Sequence, residues 1–337
     1  MYLTSITSRE IRFARRPEGI PTLETFAMGK VAVPAPPAGQ VRVRNIWMSV
    51  DPYMRGRMMT RESYVPSFRL GEPLEGGAIG RVEASKCDAL APGDLVQSML
   101  GWREAFNAPP SVLAKVRSTT LPPEALLGVA GLPGLTAFVG VEKVIKPRAG
   151  EIIFISAASG AVGSVACQIA KAAGATVIGS AGGAEKCAFL REIGVDHVID
   201  YKAEPDLVAA LKAAAPYGID AYFDNVGATH LDAALHSAKP FARFALCGMI
   251  SEYNKTEGTN LQNIRLTVTK RLRLEGFIVS DHFDMIPQFV DQMARWVDNG
   301  TIKIHQTVEN GIENAPAAFL KLFSGGNLGK MLVRLSD

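Results

Sequence analysis

The chain has 337 residues, a formal net charge of +3 and 47% hydrophobic residues. This length predicts about two domains, and so small a charge argues against a nucleic-acid-binding protein or one that docks on an anionic membrane. Its four cysteines are far apart and form no C-x-x-C pair, and residues 1–6 contain no basic region followed by an apolar run. We therefore expect free thiols, no secretory signal and a cytoplasmic location.

Residues 1–125 are interpreted as an irregular, mostly β domain. Short β-like runs at residues 41–48 and 78–83 are separated by clusters of proline and glycine, and a turn at residues 91–94 leads into a further strand at Leu95. Such clusters interrupt strands and form turns. We expect no helix of more than a few turns in this part of the chain.

Strand and helix patterns alternate from residue 126 to residue 304, which predicts a parallel sheet with right-handed crossovers. The predicted strands cover residues 152–155, 176–180, 197–199, 221–224, 244–247 and 274–279, and the predicted helices cover 162–173, 185–193, 205–214 and 286–297. About six strands in this arrangement fit a doubly wound α/β sheet. A short helix at residues 318–323 and a strand at residues 331–335 complete the prediction.

The stretch from Ile152 to Ser164 organises the middle of the chain. A short apolar strand is followed by a turn of small residues, after which apolar residues recur at helical spacing. The turn departs from the G-x-G-x-x-G pattern because Ala158 occupies the first position, while Gly160 and Gly163 occupy the second and third. This strand, turn and helix would place a pyrophosphate at the helix N-terminus.

The same region offers one alternative, because residues 152–170 form an uncharged run long enough to cross a bilayer. The run contains two glycines, three serines and a glutamine, and it lies within a regular alternation of strands and helices. We therefore prefer the cofactor-binding turn and expect no membrane partner.

The end of the second predicted strand of this region indicates which nicotinamide cofactor binds. An NAD site places an acidic residue there to bind the adenine ribose, whereas residues 180–183 read Ser-Ala-Gly-Gly. Lys186 follows in the first turn of the next helix, where a nearby phosphate would offset its unfavourable position at the positive end of the helix dipole. NADPH is therefore favoured over NADH, although Lys186 could also be a solvated surface residue partnered by Glu185.

Several motifs together resemble the medium-chain dehydrogenase/reductase superfamily. They are AASGAVGS at residues 157–164, DNVG at 224–227, CGMISEYN at 247–254, GFIV at 276–279 and, in the first domain, MSVDPYMRGRM at 48–58. Within the superfamily the chain is similar to the prostaglandin reductase and leukotriene 12-hydroxydehydrogenase branch, especially to its bacterial members of the curcumin reductase type. The resemblance extends over essentially the whole chain.

This resemblance implies a GroES-like, mostly β catalytic domain at residues 1–125, completed by residues 305–337, with a Rossmann NADPH-binding domain at residues 126–304. It also implies NADPH-dependent reduction of the carbon–carbon double bond of α,β-unsaturated ketones and aldehydes, including 2-alkenals and curcumin-like compounds, by hydride transfer to the β-carbon. A homodimer formed through the edges of the Rossmann sheets is a further implication.

The resemblance also assigns cofactor-binding residues by position. Pyrophosphate binding is assigned to Gly160, Ala161, Val162 and Gly163, and 2′-phosphate binding to Lys186 and Tyr201. The residues expected around the ribose and the nicotinamide are Asn225, Cys247, Gly248, Ile250, Ser251, Tyr253, Phe277, Ile278, Val279 and Asn327. One departure is Ser159, which stands where other members of the branch often carry alanine and could adjust contacts with the pyrophosphate.

Zinc has to be considered because many members of the superfamily carry it. Those enzymes use a Cys or His of the first domain together with a Gly-His-Glu segment, and a four-cysteine lobe for a structural metal. Here the comparable segment reads GEPLEGG at residues 71–77, and residues 1–125 contain one cysteine and no histidine. This inventory cannot supply a zinc site, so a metal-free enzyme is predicted.

Tyr253 is the candidate catalytic residue, because it follows a strand end in the expected cofactor loop. It could donate a proton, contact the enolate oxygen or only pack against the cofactor. Tyr53 and Tyr64 could stack on a flat conjugated substrate or belong to the core of the first domain. Arg55 and Arg57 could attract acidic substrates, although a solvated or structural pairing is favoured. The five histidines show no metal-ligand spacing and are assigned no chemistry.

Two other functions are compatible with the same residues. A quinone reductase would use the same cofactor, because a hydride can also be transferred to a quinone. An NADPH-binding protein without significant turnover would keep the same cofactor loops. In the favoured interpretation the partners are a small-molecule enone or enal and a second copy of the chain, with no nucleic acid.

Overall fold

The structure is a computed structural model that covers residues 4–60, 62–116, 121–255 and 257–336 in describable detail. The first three residues of the N-terminal stretch considered above lie outside this set. The chain divides into two compact units. The first unit contains Met1–Leu127, Thr307–Asn327 and Met331–Asp337, and the second contains Gly128–Gln306 and Leu328–Lys330.

The secondary structure of the described residues follows the chain in this order. The strands are β1 (Ile6–Phe13), β2 (Phe26–Val33), β3 (Val41–Ser49), β4 (Ala78–Ser85), β5 (Leu95–Ser98), β6 (Ala105–Ala108), β7 (Ala114–Lys115), β8 (Ile152–Ile155), β9 (Thr176–Ala181), β10 (His197–Asp200), β11 (Ile219–Asp224), β12 (Ala238–Leu246), β13 (Arg273–Gly276), β14 (Gln306–Asn310) and β15 (Lys330–Arg334). The α-helices are α1 (Met54–Arg57), α2 (Leu132–Phe138), α3 (Gly163–Ala172), α4 (Ala184–Glu192), α5 (Leu207–Ala214), α6 (Ala228–Ser237), α7 (Leu266–Thr269), α8 (Ile286–Asp298) and α9 (Ala315–Ser324). A π-helical segment (Val139–Ile145) follows α2, and 3₁₀ turns occupy Leu23–Thr25, Pro110–Val112, Pro123–Leu127, Val279–Met285 and Ile312–Asn314.

The first unit is built mainly from antiparallel β-structure. β1 and β2 pair with each other, and a larger sheet has the order β14-β15-β3-β4-β5-β7, with β6 also paired to β3. β15 pairs with β3 through Leu332 and Ser49, so strands from both ends of the sequence share this sheet. The predicted GroES-like, mostly β fold class is confirmed for this unit.

An aromatic cluster lies at the centre of the first unit. Trp102 is fully buried, and its ring stacks on that of Phe26 with centroids 5.8 Å apart and planes 4° apart. Phe319 of α9 meets both rings edge-on. Because these residues come from distant parts of the sequence, the cluster joins its two ends in one core.

Two arginines of α1 are buried in the first unit. Arg55 is 2% exposed and donates to the carbonyl oxygen of Gly19 at 2.8 Å. Arg57 donates to the carbonyl oxygen of Pro66 at 2.8 Å and to the carboxylate of Glu75 at 2.6 Å. These contacts support the structural interpretation of both arginines over attraction of an acidic substrate.

The second unit contains a parallel sheet which, in the described part of the chain, has six strands in the order β10-β9-β8-β11-β12-β13. Strands β8 to β10 extend the sheet in one direction and β11 to β13 extend it in the other, so the order reverses between β8 and β11. In doubly wound sheets, ligands bind beyond the carboxyl ends of the strands at such a reversal. The predicted doubly wound sheet of about six strands is confirmed.

The uncharged run at residues 152–170 is divided between β8 and α3. Ile153, Phe154 and Ile155 of β8 are fully buried in the sheet, and α3 packs against β8 and β9. Within the described ranges, none of the helices combines the length and the apolar character that crossing a bilayer requires.

The largest differences between predicted and observed strand boundaries lie in two strands of the second unit. The strand predicted at residues 244–247 begins already at Ala238, and the strand predicted at 274–279 ends at Gly276. Leu246, the last residue of β12, pairs with Gly276, so the ladder between β12 and β13 stops there. Ile278 keeps an extended backbone, and the next residue begins a 3₁₀ turn.

Candidate cofactor-binding site

The turn between β8 and α3 brings Gly160, Ala161, Val162 and Gly163 to the carboxyl end of the sheet. The carbonyl of Ala157 accepts a hydrogen bond from the Gly160 N–H at 3.0 Å. A Cβ on Gly163 would lie 2.3 Å from the same oxygen, so only glycine fits where α3 begins. A Cβ on Gly160 would lie 3.2 Å from the Ala157 carbonyl oxygen, with no other described atom outside its chain neighbours within 4 Å. The backbone at Gly160 is therefore open to close approach, which fits a pyrophosphate at a helix N-terminus.

A short segment near the end of the sequence, Leu328–Lys330, closes this turn within the second unit. The Gly329 N–H donates to the Ser159 carbonyl at 2.8 Å, and Gly329 forms a parallel bridge with Gly160. Gly329 has a φ of 62°, and a Cβ there would lie 2.2 Å from the carbonyl oxygen of His305. The position therefore requires glycine. Gly329 was not predicted, although the run of glycines around it was a visible signal.

The end of β9 leads into two glycines, Gly182 and Gly183. The Gly183 N–H donates to Asp200 Oδ1 at 2.9 Å, and the Lys202 N–H donates to the same oxygen at 3.1 Å. These backbone hydrogen bonds hold the pKa of Asp200 below its ordinary value, and the bond from Gly183 has the largest effect. Asp200, at the end of β10, thus directs its carboxylate to the backbone of the turn. The sequence did not indicate this role.

Two lysines lie close to these glycines. Lys186 is half-buried in the first turn of α4, and burial, followed by the positive charge of Lys202, lowers its pKa. Glu185 acts in the opposite direction but less strongly. Two ammonium groups that repel each other are both stabilised by an anion near them. The pair therefore fits a phosphate group, and Lys202 is a residue that the sequence did not indicate.

Tyr201 places its hydroxyl group over Gly182. A Cβ on Gly182 would lie 2.7 Å from Tyr201 Oη and 3.0 Å from Lys202 Cε. Burial, followed by the charge of Asp200, raises the pKa of Tyr201, so the phenol keeps its proton and can donate a hydrogen bond. The structure therefore brings Lys186, Tyr201 and Lys202 together around the end of β9.

The end of β11 presents Asn225, which is held by Ser156 at the end of β8. The Asn225 N–H donates to Ser156 Oγ at 2.9 Å, and Asn225 Nδ2 donates to the Ser156 carbonyl at 2.8 Å. Asp224 is fully buried, and burial raises its pKa. Its Oδ1 accepts from the Tyr222 hydroxyl at 2.7 Å and from the two N–H groups that follow Asn225. This network fixes the turn at Asn225 beside the turn at Gly160.

The loop after β12 is tied to the turn at Asn225. Four predicted residues of this loop donate backbone hydrogen bonds of 2.9–3.2 Å to the carbonyl groups of residues 224–226. They are Cys247, Gly248, Ile250 and Ser251. A Cβ on Gly248 would lie 3.0 Å from Tyr253 Oη, so the phenol folds back over its own loop. Burial, with a smaller effect of Asp224, raises the pKa of the Cys247 thiol to about 12, so this thiol stays protonated.

The segment after β13 contains Phe277, Ile278 and Val279. Phe277 is 9% exposed and meets Phe223 of β11 edge-on, with ring centroids 6.3 Å apart. Ile278 and Val279 are only partly buried. Phe277 is thus a packing residue of the sheet, whereas the next two residues have exposed surface for a ligand.

Three predicted residues, Tyr53, Tyr64 and Asn327, belong to the first unit. Tyr53 precedes α1 and packs against the core cluster that contains Trp102. Burial, followed by the charge of Asp51, raises the pKa of Tyr53 well above its ordinary value. Tyr64 is 64% exposed, and Asn327 is partly buried in the connection between α9 and β15. The structure places these residues outside the second unit, where the other predicted residues lie.

Two protein-family profiles and a solved structure match the chain. Residues 9–116 match a family described as the N-terminal domain of oxidoreductase, and residues 161–295 match one described as zinc-binding dehydrogenase. The crystal structure of CurA in complex with NADPH from Vibrio vulnificus is 37% identical, with a TM-score of 0.92, over 98% of this chain and 99% of that chain.

Curated relatives are similar over most of their length. The putative NADP-dependent oxidoreductase YfmJ of Bacillus subtilis is 42% identical over 98% of both chains. The chain belongs to the medium-chain dehydrogenase/reductase superfamily. Within this superfamily it is also similar to the 2-alkenal reductase (NADP(+)-dependent) of Nicotiana tabacum, at 42% identity over 89% of this chain and 88% of the relative, and to the NADPH-dependent curcumin reductase of Escherichia coli, at 38% identity over 96% and 95%. The resemblance inferred from the motifs, and with it the GroES-like and Rossmann fold class, is confirmed.

Zinc-dependent enzymes belong to the medium-chain dehydrogenase/reductase superfamily, and the second matching family carries zinc in its description. In the part of the chain that the structure describes, no group of three or more His, Cys, Asp or Glu side chains could hold a metal ion.

Proposed function

We propose that the chain is an NADPH-dependent reductase of the carbon–carbon double bond of α,β-unsaturated ketones and aldehydes. Its similarity to a 2-alkenal reductase and to a curcumin reductase supports this substrate class. The structural observation that carries the proposal is the group formed by Lys186, Tyr201 and Lys202 at the end of β9. These side chains offer positive charge and a hydroxyl donor to the 2′-phosphate, the group by which NADPH differs from NADH.

The other contacts with NADPH are proposed from the same strand ends. Residues 160–163 would hold the pyrophosphate at the N-terminus of α3. Asn225 and the loop at residues 247–253 would hold the ribose and the nicotinamide, together with residues 277–279 and with Asn327. The hydrogen bonds that join Asn225 to Ser156 support this assignment, because they fix the turn before any ligand binds.

Bound NADPH supplies a hydride to the β-carbon of the enone. The protein then has to stabilise the negative charge that develops on the carbonyl oxygen of the substrate. Tyr253 is the residue proposed to donate to this oxygen, because its hydroxyl belongs to the loop that is tied to Asn225. Tyr53 and Tyr64 of the first unit are proposed to stack on a flat conjugated substrate.

The proposed reaction uses no zinc, because residues 1–125 contain one cysteine and no histidine. An enone accepts a hydride with modest help from a hydrogen-bond donor, whereas alcohol oxidation in zinc-dependent relatives relies on a Lewis acid. The four cysteines are free thiols in the structure. Free thiols are typical of a reducing compartment, and a cytoplasmic location stays a prediction on that basis.

We also propose a homodimer formed through β13, the last strand in the order of the parallel sheet. Arg273 and Glu275 are both exposed, lie on either side of Leu274 and form an ion pair at 3.4 Å within one chain, which would be exchanged for pairs with the partner subunit in the dimer. If two copies pair antiparallel with Leu274 on the two-fold axis, each Arg273 faces Glu275 of the partner subunit. Arg273→Glu should dissociate the dimer in light-scattering measurements, and adding Glu275→Arg should restore it. A dimer that survives the single substitution would contradict this register.

The experiment for the activity measures NADPH consumption with a panel of enones, 2-alkenals and quinones, and identifies the products by mass spectrometry. A saturated ketone or aldehyde is expected from the enones and enals. An allylic alcohol would show attack on the carbonyl group instead, and turnover of quinones alone would show a quinone reductase. Tight NADPH binding without turnover of any compound would contradict the proposed enzyme.

A further inference from the structure

His230 on α6 is a destabilising residue in its buried surroundings. It is 6% exposed, and neither ring nitrogen has a hydrogen-bonding partner among the described residues. Buried nitrogens without partners are destabilising. Burial lowers the pKa of His230 to about 4, so the imidazole is neutral at neutral pH. An aliphatic side chain would fill this position at lower cost, so the flat ring calls for an explanation.

The ring of His230 belongs to a column of aromatic rings inside the second unit. It lies nearly parallel to Phe154 of β8, with planes 8° apart and centroids 6.4 Å apart. Phe154 is fully buried and stacks on Tyr222 with centroids 4.9 Å apart. His230 also contacts Tyr201, whose ring is nearly perpendicular to it, with planes 82° apart and centroids 5.3 Å apart. The buried rings of Tyr222, Phe154 and His230 therefore continue to Tyr201.

Tyr201 is the exposed end of this column, with 38% of its surface accessible. It is the first residue after β10, and the residues that follow it up to Asp206 are exposed. Its hydroxyl nevertheless lies over Gly182, within 2.7 Å of where a Cβ would be. The residues after Tyr201 are exposed, whereas the ring of His230 is a buried aromatic surface that can hold the phenol in this place.

We propose that His230 is a positioning residue for cofactor selectivity, which supports Tyr201 so that its hydroxyl is held over Gly182 for the 2′-phosphate of NADPH. The proposal rests on the proposed function, in which NADPH is the cofactor. NADH has no 2′-phosphate, so His230 affects the binding of NADP⁺ and NADPH but not that of NAD⁺ and NADH.

The test measures the affinities for NADP⁺ and NAD⁺ by isothermal titration calorimetry. His230→Leu removes the ring and should weaken NADP⁺ binding by about 2- to 10-fold, the effect of losing one aromatic pair. His230→Phe keeps a flat ring and should retain the wild-type affinity for NADP⁺. His236→Leu changes an exposed histidine of the same helix and should leave both affinities unchanged. If His230→Leu does not fold, His230→Met provides a second variant without a ring.

A double substitution separates positioning from a general loss of structure. In a Tyr201→Leu background, His230→Leu should weaken NADP⁺ binding no further. Equal weakening of NADP⁺ and NAD⁺, or an unchanged affinity for NADP⁺ in a folded ring-free variant, would overturn the proposed role of His230. A wild-type protein that binds NADP⁺ no better than NAD⁺ would overturn the proposed cofactor instead.

Discussion

Replacement of Lys186 by alanine is expected to weaken NADPH binding strongly and NADH binding hardly at all. Lys186 is half-buried, and burial, followed by the charge of Lys202, lowers its pKa, so an anion beside it stabilises the ammonium and offsets both effects. A charged hydrogen bond of this kind contributes about 1.5–3 kcal/mol, which corresponds to a loss of roughly 10- to 150-fold in affinity. Lys202 is exposed, so its replacement should cost only about 0.2–1 kcal/mol.

The assay is calorimetric titration of both reduced dinucleotides at low and moderate salt. The matched control is Lys212→Ala, because Lys212 is an exposed lysine of α5 whose ammonium donates to the carbonyl of Pro216. The affinity of the wild type for NADPH should also fall at alkaline pH. The ammonium of Lys186 is present below its lowered pKa and lost above it, and Lys186→Ala should remove most of this alkaline decline. Equal losses for NADPH and NADH would refute the assignment of Lys186 to the 2′-phosphate.

Three further predictions concern other parts of the second unit. Gly163→Ala places a Cβ 2.3 Å from the Ala157 carbonyl oxygen. It should lower the free energy of unfolding, measured by urea titration, by about 1–3 kcal/mol and should weaken NADPH binding. An unchanged free energy of unfolding and an unchanged NADPH affinity would contradict the tight turn. Tyr253→Phe should reduce turnover by about 10²-fold with little change in NADPH affinity, and an unchanged turnover number would remove Tyr253 from the chemistry. His230 has a pKa of about 4 in the folded protein and 6.5 as its ordinary value, so up to about 3 kcal/mol of stability should be lost as the pH falls from 6.5 to 4. His230→Phe should abolish this part of the pH dependence, and a parallel pH profile in the variant would contradict it.

The sheet of the second unit was predictable because its signals are local. The change from a short apolar strand to helical spacing at residues 152–173 indicated β8 and α3, and repeated alternation indicated the parallel sheet. The end of β13 was not predictable from its own residues. The apolar run continues through Phe277 to Val279, whereas the strand ends at Gly276 because Leu246 is the last residue of its partner. A strand boundary set by a neighbouring strand leaves no mark in the local sequence.

The candidate site was predictable where a turn carries its own motif. Gly160 and Gly163 were found by their spacing. Asp200, Lys202 and Gly329 were not found, because each meets the site through a contact with a residue distant in the sequence. Such contacts depend on the order of the strands and on the packing of the loops, neither of which appears in a single motif.

The closing of the dinucleotide turn by Gly329 has a consequence for synthesis on the ribosome. Leu328–Lys330 belong to the second unit, although the segments on either side of them belong to the first. Gly128–Gln306 can therefore leave the ribosome and form the parallel sheet before the Ser159 carbonyl can accept its hydrogen bond from the Gly329 N–H. The contact of Gly329 with Ser159 can form only after residue 330 has left the exit tunnel, so a nascent chain arrested before that point should retain NADPH weakly.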